Sequence, residues 1–77
     1  MNYFLVSKTM YDANTQIEYD TLISVYSSTF TANKAIEKLE KELLDNGFKK
    51  IRRARGSILV KDFVQVQFNC VEVPFNI

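Results

Sequence analysis

A chain of 77 residues with 47% hydrophobic, 13% aromatic and 25% charged side chains is sized for one folded domain, 1–77, and lies outside the disordered class. Ten Lys and Arg against nine Asp and Glu give a net charge of +1, too close to neutral for a DNA mimic, and the absence of histidine removes the commonest general base near neutral pH. The single cysteine, Cys70, cannot close an internal disulfide, which fits a reducing cytoplasm; "MNYFLVSKTMYD" shows no basic n-region or small-residue cleavage site and no apolar run approaches the roughly 18 residues a membrane span needs, so neither export nor membrane insertion is expected.

Residues 3–11 and 16–26 are rich in β-branched and aromatic types, and "DANT" between them supplies turn chemistry through Asp12 and Asn14, so the pair is predicted to be a hairpin. A four-residue loop would set Tyr11 opposite Gln16, and hence Met10 opposite Ile17, Lys8 opposite Tyr19, Val6 opposite Thr21 and Phe4 opposite Ile23. One face of the hairpin is then apolar. The reverse face carries Tyr3, Leu5, Tyr11, Leu22 and Tyr26 among Thr9, Glu18, Asp20 and Ser24.

From Thr31 the period changes. Ala32, Ala35, Ile36, Leu39 and Leu43 form one helical stripe, opposed by Lys34, Glu37, Lys38, Glu40, Lys41 and Asp45. Thr31 is the expected N-cap, and Glu37 to Lys41 has the favourable spacing for an ion pair. The helix should stop at "DNGF", with Gly47 left-handed and Phe48 folded back on Leu43 in a Schellman arrangement.

Residues 49–60 and 63–73 read as two further strands joined near Lys61 and Asp62. In the second, Val64, Val66, Phe68 and Cys70 alternate with Gln65, Gln67 and Asn69, after which the apolar set shifts to Val71, Val73 and Phe75. A bulge near Cys70, or apolar neighbours on both faces, would account for the shift; Cys70 is expected in the core, and Pro74 at a strand end. The whole predicts an α+β fold: a mainly antiparallel four-stranded sheet in β-β-α-β-β order with one amphipathic helix on one face. A single helix leaves the other face open, and Tyr3, Leu5, Leu22 and Tyr26 there form an expected partner surface, suited to a protein partner or a homodimer.

No chemical signature emerges. Cys70 has no histidine to activate it, Glu18 and Asp20 share a strand face without an identified third ligand, and the two glycines are too far apart for a phosphate-cradling loop. No cofactor or metal is expected, and the chain is read as a non-enzyme. The fragment "LEKELLDNGFKKIRRARGS", Leu39 to Ser57, is similar to the helix, turn and basic strand of HicA-type mRNA interferase toxins, in which a Gly-Ser pair precedes the catalytic histidine. Ile58 stands in that place here, so the resemblance does not extend to ribonuclease activity.

The most distinctive local feature is "KKIRRAR", residues 49–55, which holds five of the ten basic side chains and leaves five Lys and Arg against nine Asp and Glu elsewhere. In an extended strand Lys50 and Arg52 point to one side, while Lys49, Arg53 and Arg55 point to the other, giving a charged rim rather than a flat platform. Arg52, Arg53 and Arg55 are therefore read as the rim of a protein-docking face centred on Tyr3, Leu5, Leu22 and Tyr26. Small chains without catalytic groups include stoichiometric inhibitors of phages and mobile elements, anti-CRISPR and other anti-defence proteins among them. The alternative is a nucleic-acid-binding protein using strand 49–55, against which stands a pI of 7.8.

Overall fold

The computed structural model describes residues 2–54 and 56–74; the expectations for Arg55 and Phe75 lie outside them. Five strands and one helix follow in the order β1 (Asn2–Asp12), β2 (Ile17–Tyr26), α1 (Thr29–Asp45), β3 (Lys49–Arg53), β4 (Gly56–Lys61) and β5 (Val64–Pro74). The fold is α+β, as the sequence predicts, but the sheet has five antiparallel strands instead of four, ordered β2-β1-β5-β4-β3. The expected strand 49–60 is a hairpin. Arg53 pairs with Gly56, whose φ of +118° lies in a region that L side chains rarely adopt, so the chain reverses there.

The β1–β2 turn is built as its composition dictates. The Asn14 amide donates to the Asp12 carboxylate at 2.9 Å, the Gln16 amide donates to the Asp12 carbonyl at 2.7 Å, and Gln16 takes a φ of +58°. Ile17 therefore faces Asp12 and not Met10, and the ladder runs two residues out of the expected register, with Met10 opposite Tyr19 and Lys8 opposite Thr21. A two-residue slip preserves the faces. Between Val6 and Ser7, however, the ladder shifts once more: Ser7 faces Leu22 and Val6 faces Ser24, leaving Ile23 as a bulge. Beyond the bulge the parity reverses, so Tyr26 pairs with Phe4 and Val25 pairs with Leu5.

Helix α1 begins earlier than its apolar period suggests. Ser28 is the N-cap, its hydroxyl accepting from the Thr31 amide at 3.2 Å, so Thr31 is the capped residue and not the cap. The C-terminus is the Schellman turn expected from "DNGF": the Gly47 amide reaches the Leu44 carbonyl at 3.1 Å and Phe48 reaches Leu43 at 3.1 Å, with Gly47 at φ +94°. Lys61 completes it by donating to the Asn46 carbonyl at 2.7 Å, its ammonium 5.8 Å from the centre of the Phe48 ring. On the solvated side Glu37 pairs with Lys34 at 3.8 Å, where the spacing predicts Lys41; both Lys34 and Glu37 are exposed, and such pairs contribute little.

Val6, Leu59 and Val66, from three neighbouring strands, lie under the helix with Ala32, and these four are the fully buried hydrophobic residues among those described. The remaining stripe of Ala35, Ile36, Leu39 and Leu43 is half-buried. The chain exposes 5796 Å², about a fifth more than the roughly 4,800 Å² that surface scaling gives for a folded protein of 8.9 kDa. Exposed apolar side chains are spread over several elements, with Phe30 on the helix, Phe63 in the β4–β5 turn, and Leu22, Val25 and Val71 on the sheet face that has no helix on it.

Candidate docking surface

Register places every side chain on one face or the other. Phe4, Val6, Lys8 and Met10 of β1 share the helix side with Val66 and Phe68 of β5 and Leu59 of β4. The opposite side carries Tyr3, Leu5, Ser7, Thr9 and Tyr11 of β1, flanked by Val25, Leu22, Asp20 and Glu18 of β2 and by Val73, Val71, Asn69, Gln67 and Gln65 of β5.

This open face is divided along the strands. At one end Val25, Leu5 and Val71 form a row across three strands, bordered by Leu22, Tyr3 and Val73. Leu22 is 60% exposed, Val71 53% and Val25 48%. Side by side, they present a contiguous apolar patch rather than scattered contacts with water. The middle is polar and internally bonded. Thr9 donates through its hydroxyl to the Asp20 carboxylate at 2.7 Å and accepts from the Asn69 amide at 3.2 Å, a chain spanning β2, β1 and β5. At the far end Tyr11, Glu18, Gln65, Gln67 and Ile58 line a shallow depression of about 240 Å³.

Of the residues expected here, Tyr3, Leu5 and Leu22 share the open face. Tyr26 does not: the bulge at Ile23 turns it to the helix side and puts Val25 in its place. Val71 belongs to the patch through its pairing with Leu5. The sequence flags Val71 through the shift of the apolar set, whereas Val25 can be found only by locating the bulge. That shift also has its explanation. The β1–β5 ladder is regular from Val64 to Pro74, so no bulge occurs at Cys70; Val71 and Val73 simply face the open side. Cys70 faces the helix side beyond the helix's cover and is exposed, not in the core.

The basic strand is an edge strand, as its charge suggests. Lys50 pairs with Leu59 and reaches under the helix to Glu40 at 3.5 Å, while Arg52, on the same side, is exposed. Lys49, Ile51 and Arg53 project on the open side. Arg52 and Arg53 thus point to opposite faces, and β4 lies between their strand and β5, the nearest strand of the apolar patch. Of the two carboxylates sharing a face of β2, Asp20 accepts from the Thr9 hydroxyl, and Glu18 lines the depression at the far end of the open face. Among the described residues no three His, Cys, Asp or Glu side chains converge, and no helix is long and apolar enough to cross a membrane. No family model, curated protein or solved structure matches the chain.

Proposed function

We propose that this chain is a non-enzymatic protein-docking module, a stoichiometric inhibitor or regulator that acts by covering a surface on its partner. The observation that carries this reading is the exposed apolar row Val25–Leu5–Val71 with Leu22 beside it, on a sheet face that no helix among the described residues covers. An apolar centre with a polar border is the anatomy of a recognition patch. The Asp20–Thr9–Asn69 chain supplies that border on one side, and Lys49 and Arg53 lie on the same face at its far edge, where they orient an acidic partner. Arg52 takes no part from the opposite side of the strand.

The test compares the immobilised wild-type protein with a Leu22→Lys/Val25→Lys variant as bait for lysate of the source cell, with and without nuclease. The expected result is one protein retained in stoichiometric amount by the wild type, resistant to nuclease and reduced about tenfold or more by the two lysines. Retention of nucleic acid alone, weakened by alanine at Arg52, Arg53 and Arg55, would replace this reading with the nucleic-acid one.

A further inference from the structure

Among the described residues, three long stretches of strand edge lack a partner strand, and they are not alike. The outer edge of β2 carries Glu18 and Asp20 and is interrupted by the Ile23 bulge; the outer edge of β3 carries Lys49, Lys50, Arg52 and Arg53. Both carry charges that keep edges from pairing, and the bulge adds irregularity to the first. The third lies in β5. This strand pairs with β1 along its whole length, but with β4 only through Val64, Gln65 and Val66; from Gln67 to Pro74 its second edge is uncovered by β4. That stretch is regular, and Glu72 is its sole charge.

We infer that the β5 edge is where two copies of this chain join, strand against strand, about a twofold axis at Val71. The backbone sets the register. The Phe63 carbonyl accepts from Ala13 at 2.8 Å, beside β1, so the odd-numbered residues of this regular ladder direct their amides and carbonyls toward β1. Phe68, Cys70 and Glu72 direct theirs outward. Val66 is already paired with Leu59, and Pro74 ends the strand with no amide proton, so the stretch open to a partner runs from Phe68 to Pro74. Its midpoint is Val71. An antiparallel copy centred there bonds Cys70 to the partner's Glu72 and Glu72 to the partner's Cys70, and sets Val71 directly against its own counterpart.

The side chains agree with that axis. Val71 is the inner end of the apolar row Val25–Leu5–Val71, so the junction makes one row across both copies of the open face. It also covers Val71, one of the more exposed apolar side chains, in a molecule with four fully buried hydrophobic residues among those described. A second copy suits this edge because it sets the exposed apolar end of one row, Val71, against the same end of the other. The inference is independent of the docking reading: a dimer that captures no partner, or a monomer that captures one, separates the two.

The test is the mass in solution by sedimentation equilibrium, together with two variants. The wild type should give a mass near twice 8.9 kDa, falling on dilution, with a melting temperature that rises with concentration. Cys70→Pro removes an outward amide and leaves the β1 ladder its bonds, and should raise the dissociation constant at least about tenfold. Cys70→Ser/Val71→Cys places two thiols at a facing pair whose Cα atoms are about 4.5 Å apart, within disulfide reach, and should oxidise to a covalent dimer under native conditions but not in denaturant. A monomeric wild type at every concentration overturns the inference. So does a dimer in which Val71→Cys fails to cross-link, which would place the contact elsewhere.

Discussion

The two faces of one sheet are made from the same strands, yet they do different work. Under the helix, Val6, Leu59 and Val66 close around Ala32 and exclude water; on the other side Leu22, Val25 and Val71 are about half exposed or more. Strand alternation gives each face its set of side chains, but only one face receives a helix, because the chain contains one amphipathic segment among the described residues. The fully buried hydrophobic residues among those described are therefore concentrated on the covered face, while the open face keeps Leu22, Val25 and Val71 exposed.

Substitutions should separate the faces by size of effect. The largest belongs to Leu59→Ala, which empties space at a fully buried position and should cost about 2–5 kcal/mol by urea denaturation. A domain of this length holds only about 4–12 kcal/mol in all, so partial unfolding at room temperature is within reach. Gly47→Ala comes next. An added Cβ would meet only the Lys61 side chain at an ordinary 3.7 Å, so the loss is conformational: about 1–2 kcal/mol for a left-handed φ, read as a lower melting temperature. Glu40→Gln removes the Lys50 bridge at the boundary of the covered face and should cost at most about 1 kcal/mol, shrinking as salt is added. A Glu40→Gln effect equal to that of Leu59→Ala would dissolve the ranking.

Much of the covered face is legible in the sequence. The stripe Ala32–Ala35–Ile36–Leu39–Leu43 and the "DNGF" stop define the helix's buried side and its end, because each depends on a few adjacent residues. The helix start is harder to place, since Ser28 caps from outside the apolar period. What composition does not reveal is register. The Ile23 bulge exchanges Tyr26 for Val25 on the open face, and no local propensity marks it, because a bulge is a property of the pairing between β1 and β2. The β3–β4 turn has a signal, as Gly56 follows the basic run and takes a positive φ there, but the β-propensity on either side masks the reversal. Cys70 departs from expectation for a different reason: its face is the buried one, but α1 does not extend its cover to that part of β5.

The most direct measurement is urea unfolding of Leu22→Lys/Val25→Lys at fixed protein concentration beside the wild type. The division between faces predicts a loss below about 1 kcal/mol with an unchanged m-value, because both lysines project from an exposed patch. A loss of about 2 kcal/mol or more, in the range of Leu59→Ala, would show that the open face belongs to the folding core and would contradict its assignment to recognition.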